Sequence, residues 1–315
     1  MRFSFLGFAL ASVLTGCVSS SPTISQSTSP EVTSFYDYRL YSPAGDPISI
    51  TTLPPELQQA DVILIGEWHT HAGIHRFQTD MLKHLSTSER PIALSMEQIS
   101  RDKQDVLDEY LSGQIGEQHF IQQSNAWPNY ESDYRPLIEF AKRSDMPVIA
   151  ANAPKKIVRC IGRQGVDYLN KLDSRERRSV AATINTGDSP YKDKFMASMH
   201  HGKPEQTEKQ YAAQMTWDET MAESVVNYLS KHPGTLVVHV SGNFHTEGGL
   251  GTATSMLNRN PGLKIVIITP RSEVTTDSSD YQLEVLAPPI RYVQESNRMQ
   301  AFQHIAMRNT DLECQ

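Results

Sequence analysis

Val62-Ile63-Leu64-Ile65-Gly66-Glu67-Trp68-His69-Thr70-His71 is the stretch that decides the fold. Four aliphatic residues in succession describe a strand buried on both faces, as in the middle of a parallel sheet, where neither face meets water. The run breaks at Gly66 into Glu67, His69 and His71, and His75 follows in the next helix. Open α/β sheets bind ligands outside the carboxyl ends of their strands, so this acid and these imidazoles stand where a site would be. Any one of them alone is more simply a satisfied polar residue at a strand exit. The group is not, because the pattern returns downstream. Leu236-Val237-Val238-His239-Val240 leads into Ser241-Gly242-Asn243-Phe244-His245, a second apolar strand ending in Gly-x-x-His.

Working outward, Ile74, Phe77, Met81, Leu82 and Leu85 recur at helical spacing and place His75 and Gln78 near the start of that helix, toward His69. Ile92 to Glu97 reads as the next strand and also ends in a glutamate; two such glutamates are equally ordinary helix caps. Pro147 to Asn152 is a third strand in an otherwise helical region, and Leu236–Val240, Lys264–Thr269 and Tyr281–Val285 follow. Tyr36–Tyr41 and Ile48–Ile50 look like a flanking hairpin. These runs predict an α/β fold with a mainly parallel central sheet flanked by helices, over 36–156 and 203–290. A small helical subdomain is inserted at 157–202, and 291–315 is expected to be a peripheral tail.

The 315 residues are 38% hydrophobic and 21% charged, an ordinary globular composition, and the length suits one large domain with an insertion, or two domains. A net charge of −7 gives no basic face for nucleic acid. Residues 1–17 read as a targeting segment: Arg2, then the short apolar run Phe5–Leu14, then Leu14-Thr15-Gly16-Cys17, which resembles a bacterial lipobox. Cys17 is expected to be lipidated and to become the new amino terminus. Val18 in place of an aspartate favours the outer membrane, on its periplasmic face. Residues 18–35, rich in Ser, Thr and Pro, read as a flexible tether. Of the three cysteines, Cys160 and Cys314 remain. An oxidising compartment allows them to pair, and the sequence allows two free thiols equally well.

Two chemistries suit the constellation. Glu67, His69, Glu97 and His245, with His71 and His75, are competent ligands for a divalent metal, as in a metal-dependent hydrolase. There is no His-Glu-x-x-His and no Gly-x-Ser-x-Gly. Alternatively, Trp127, Tyr130, Tyr134, Arg135, Arg159, Tyr191, Tyr211 and Trp217 lie in the helical region facing that sheet edge. Tyrosinate binds ferric haem, arginines clamp its propionates, and Met196, Met199, Met215 and Met221 could form an apolar wall. The plainer alternative is that these aromatic and methionine residues are a helical core.

Taken together, Gly66-Glu67-x-His69, His75-x-x-Gln78, Glu97, Trp127…Tyr134-x-Pro136-Leu137, Asn152-x-Pro154, Met221-Ala222 and Gly242-Asn243-x-His245 resemble the ChaN-like haem-binding lipoproteins, of the superfamily that includes the TIKI and TraB proteins. The resemblance runs from about Asp61 to Gly251. It implies a large α/β domain with a small helical one, and haem bound cofacially between two monomers with tyrosine on the iron, in iron uptake at the outer membrane. It assigns Tyr134, which lies inside a matching motif, as the first choice of haem-iron ligand, followed by Tyr211 and Tyr191. Glu67, His69, His75, Glu97, Asn243 and His245 would support the ligand, and Arg135 and Arg159 the propionates. The implied partners are haem, a second copy of the chain, the membrane through its lipid anchor, and an outer-membrane haem receptor. The protein is then a haem carrier rather than an enzyme, with a hydrolase of the TIKI type as the alternative.

Overall fold

Eight strands form one sheet: β1 (Arg39–Tyr41), β2 (Pro47–Ile48), β3 (Val62–Glu67), β4 (Ile92–Ser100), β5 (Val148–Asn152), β6 (Leu236–Gly242), β7 (Ile265–Arg271) and β8 (Tyr281–Glu284), in the order β2-β1-β8-β7-β3-β6-β4-β5. The structure, a computed structural model, describes residues 31–199, 203–307 and 312–314; the signal segment, Cys17 and most of the tether lie outside the described residues. Every pairing from β8 through to β5 is parallel, and only the β1–β2 and β1–β8 pairs at one edge are antiparallel. The expected mainly parallel α/β sheet is what the chain forms.

The helices are α1 (Pro55–Gln58), α2 (Ala72–Leu85), α3 (Gln104–Leu111), α4 (Glu117–Ser124), α5 (Arg135–Arg143), α6 (Lys155–Gln164), α7 (Ser174–Arg178), α8 (Pro190–Ser198), α9 (Pro204–Lys231), α10 (Asn243–Thr246), α11 (Thr252–Arg259) and α12 (Glu295–Met307). Because successive strand residues point to opposite faces, the aliphatic runs feed two cores. Ile63, Ile65, Leu94, Met96, Val238 and Val240 pack against Ile74, Phe77 and Met81 of α2 and against α3 and α5. Val62, Leu64, Ala93 and Val237 face the other way, onto Met221, Ala222 and Val225 of α9 and Met256 of α11. No described helix is long and apolar enough to cross a membrane.

β5 is an edge strand, whose free backbone groups would invite pairing with another chain. Gln104 covers it: its side chain donates to the Val148 carbonyl (2.9 Å) and accepts from the Ala150 amide (2.7 Å). After β5 the chain enters α6, whose Ile157, Cys160 and Ile161 pack on Ala212 and Ala213 of α9. Residues 291–300 are exposed, and Leu312–Cys314 are tied back to the protein body. Cys314 is joined to Cys160 by a disulfide, which settles the open question of the two cysteines and returns Leu312 to the protein body.

Candidate functional site

The topology brings the two Gly-x-x-His exits side by side. β6 lies between β3 and β4, with Glu67 opposite Gly242, and the chain then crosses over β3 to reach β7. Each motif glycine makes room for the other motif. A Cβ on Gly66 would lie 2.7 Å from Asn243 Oδ1, and one on Gly242 would lie 2.8 Å from Cε1 and 3.0 Å from Nε2 of His69. Only glycine permits this approach, so these two residues are part of the site's construction.

Glu67 is the centre of the first exit. Its side chain is fully buried, and a carboxylate removed from water needs its oxygens satisfied by donors. Oε1 accepts from Tyr134 Oη (2.7 Å), His69 Nδ1 (2.8 Å) and Gln98 Nε2 (3.0 Å), and Oε2 accepts from Gln78 Nε2 (2.8 Å). Burial alone would raise the Glu67 pKa, but the bond from His69 and the nearby His75 outweigh it and hold the carboxyl below its usual range. His75 stands behind, with Nδ1 toward Gln78 Oε1 (3.0 Å) and Nε2 toward the His69 carbonyl (3.1 Å). For His69, burial pulls the pKa down, but the bond to Glu67 and the charges of Glu97 and Glu67 leave it raised. Its side chain is 43% exposed, with Trp127 edge-on at 5.0 Å.

The second exit repeats the arrangement with Asp218 of α9. Oδ1 accepts from Thr252 Oγ1 (2.7 Å) and His245 Nδ1 (3.0 Å); Oδ2 accepts from Tyr191 Oη (2.9 Å) and Gln214 Nε2 (3.3 Å). Here the histidine is buried as well as the acid. Burial alone would lower His245, but Asp218 and then Glu97 outweigh it and hold the imidazole up at about 9. His245 is therefore a cation at neutral pH. Glu97 lies between the exits, with Oε2 accepting from the Gly242 amide (2.6 Å) and Oε1 3.8 Å from His245 Nε2.

His69 and His245 together line two cavities. The larger, of about 880 Å³, has Trp127, Pro128, Pro154, Trp217 and Leu312 as apolar wall and Lys103, Lys156 and Arg159 among its cations. The smaller, about 590 Å³, lies toward Trp68, Asn243, Phe244 and Pro289. The convergence of the two exits on one place, expected from the repeated motif, is thus present. A wider depression of about 1250 Å³ lies elsewhere, beside β5 and α9, and its Arg101 is taken up by Glu223 and Ser224.

Other candidates stand back from the groove. Tyr134 is 1% exposed, and burial followed by the charge of Glu67 raises its pKa well above the usual phenol value. Tyr191 is buried against Asp218, and Tyr211, also buried, meets Ser189 Oγ at 3.2 Å. No tyrosine lines either cavity among the described residues. Arg135 is engaged by Glu117 and Glu131, whereas Arg159 does line the groove. Met196, Met199 and Met215 pack around Tyr191 and Tyr211, and Met221 lies in the sheet core, so the methionines are core rather than groove wall. Asp218, Gln214 and Gln98 were missed. Gln214 and Asp218 had a legible signal: they interrupt the stripe Tyr211, Met215, Met221, Ala222, Val225 with polar residues on the buried side of a helix.

Among the described residues, no three His, Cys, Asp or Glu side chains are gathered so as to hold a metal ion. Glu67 already accepts four hydrogen bonds, the capacity of a carboxylate.

A protein-family model described as haem-binding uptake, Tiki superfamily, ChaN matches residues 53–256. Among solved structures, the chain is similar to ChaN of Campylobacter jejuni, described by its cofacial haem binding, with a TM-score of 0.62 and 19% identity over 80% of this chain and 98% of that one. A protein from Bacillus cereus gives a TM-score of 0.39 at 15% identity, covering 71% of this chain and 69% of that one. An erythromycin esterase mutant in its open conformation gives 0.44 at 11% identity, covering 79% and 82%. No curated protein matches the chain.

Proposed function

Starting from the chain's membership of the haem-binding ChaN family of the Tiki superfamily, we propose that haem is held in the groove between Trp127 and Trp217. We propose further that the protein is an outer-membrane lipoprotein, anchored through Cys17, that receives, stores or passes on haem during iron acquisition. The observation that carries this reading is His69. Its Nδ1 is fixed by Glu67 at 2.8 Å, and its Nε2 stands over Gly242 near Glu97 in the wall of an 880 Å³ groove. A metal-binding imidazole typically gives its other N–H to a carboxylate, which sets the tautomer and aims the ring. The groove's volume lies in the range of cofactor sites, its tryptophans and prolines suit an apolar macrocycle, and Lys156 and Arg159 suit its carboxylates.

On this reading His69 is the iron-facing donor and Tyr134 a positioning residue. A phenol binds ferric iron as tyrosinate. The buried carboxylate that accepts the Tyr134 proton works against losing it, and neither cavity contains a tyrosine among the described residues. Our reading therefore prefers His69 to Tyr134, Tyr211 or Tyr191 as the iron-facing residue. The alternative of a hydrolase with a divalent ion at Glu67, His69, Glu97 and His245 is less well supported, because Glu67 is saturated by four hydrogen bonds and no metal-holding group of three such side chains is gathered among the described residues. Haem held from one side leaves its other face apolar, which a second copy related by a two-fold axis would cover.

The test is a hemin titration of the purified protein beside metal analysis of the same preparation. Saturable growth of a haem band, unaffected by prior chelator treatment, is expected. Indifference to hemin together with copurifying zinc or manganese would contradict it.

A further inference from the structure

The last described residues return to the groove from far along the chain. Cys314 is disulfide-bonded to Cys160 of α6, with Cα atoms 5.5 Å apart and a sequence separation of 154. The Arg163 guanidinium donates to the Leu312 carbonyl (2.6 Å), and Gln164 Nε2 donates to the Cys314 carbonyl (3.3 Å). Leu312 packs with Trp217 on the cluster that contains Ile157, Cys160 and Ile161, and it lines the same groove as His69, Trp127 and Arg159. One side chain near the carboxyl end is therefore part of the groove wall, and the covalent bond lies two residues away from it.

We propose that Leu312–Cys314 is a ligand-retaining strap, set against the groove by the disulfide, and that reducing this disulfide speeds release of the groove's ligand. The proposal rests on the reading that haem occupies the groove. Two hydrogen bonds and one half-buried leucine are a weak hold on this segment, which regains conformational freedom when it detaches. The cross-link keeps the strap at high effective concentration beside the groove. Reduction takes two electrons and two protons. A dithiol attacks one sulfur of the Cys160–Cys314 bond as thiolate and forms a mixed disulfide. Its second thiol then displaces the protein, leaving both cysteines as thiols and the reductant as its own disulfide. In an oxidising compartment the strap stays fixed.

The experiment is transfer of hemin from the loaded full-length protein to excess apoglobin, timed for the unaltered protein, Cys314→Ser, Leu312→Ser and Leu312→Met. Release from Cys314→Ser should be about tenfold faster, because the whole strap, and not Leu312 alone, is set free. Leu312→Ser, with the disulfide intact, should accelerate release less, and Leu312→Met should restore it. The haem spectrum of the bound form should be unchanged throughout, since His69 is untouched. A second measurement needs no haem: in a Trp68→Phe, Trp127→Phe background, Trp217 emission should shift on Cys314→Ser. Equal release rates in all four proteins would overturn the strap and leave the haem reading standing. Failure of every variant to bind hemin, with Trp217 still shifting, would overturn the haem reading and with it the strap's role as a haem-retaining wall.

Discussion

The two Gly-x-x-His exits are built from the same parts and arrive at opposite states. Each sets a buried carboxylate against a histidine, a tyrosine and a glutamine: Glu67 with His69, Tyr134 and Gln78, and Asp218 with His245, Tyr191 and Gln214. At the first exit the histidine ring stands at the groove mouth, 43% exposed. At the second it is buried between Asp218 and Glu97 and stays charged. One exit presents an imidazole and the other locks one away. The difference lies in where the acid comes from. Glu67 belongs to the strand itself and reaches forward two residues, leaving His69 over the sheet edge, whereas Asp218 approaches from α9 and covers His245.

If that contrast is correct, the two histidines differ most in stability. His245→Ala leaves the fully buried Asp218 without its counter-charge and should cost about 3–5 kcal/mol, the usual penalty for breaking a buried ion pair. His69→Ala, at a half-solvated pair, should cost about 1 kcal/mol or less. Denaturant unfolding of both variants checks the order, and equal losses would break the comparison.

A smaller effect is in pH. His245 is raised from 6.5 to about 9, so its contribution is fully present below 6.5 and is lost as pH rises through about 9. Glu67 is lowered from 4.5, so its contribution is present above 4.5 and is lost as pH falls through its folded value below that. Unfolding free energy should therefore decline at both ends. His245→Ala should flatten the alkaline side and Glu67→Gln the acidic side, each leaving the other limb in place. A profile in which one substitution removes both limbs would show that the exits titrate as one unit.

Most of the first exit was legible in the sequence because Glu67, His69, His75 and Gln78 lie within twelve residues, where strand and helix periodicity fix direction; Tyr134 and Gln98 reach it from elsewhere in the chain. The parallel sheet was legible for a similar reason: its strands are continuous aliphatic runs. The second exit was half legible. His245 follows from its strand, but Asp218 is 27 positions away in a 28-residue helix, and only a polar break in an apolar stripe marks it. For the tyrosines, residue type names a possible ligand, while burial bears on whether the hydroxyl is available. Tyr134 lies in the matching motif, but its hydroxyl is directed to Glu67. Pairing of Cys160 with Cys314 depends on how α6 and the chain end pack, which no local pattern encodes.

The central claim, that the first exit presents His69 and keeps Tyr134 behind it, is tested most directly by the absorption and electron paramagnetic resonance spectra of hemin bound to His69→Ala and Tyr134→Phe. The account predicts that His69→Ala loses the ligand signature of the unaltered protein and binds hemin at least tenfold more weakly, one lost coordinating contact being worth more than 1.4 kcal/mol. Tyr134→Phe should keep the spectrum and weaken binding only slightly. A tyrosinate-to-iron charge-transfer band that survives His69→Ala and vanishes in Tyr134→Phe would contradict it.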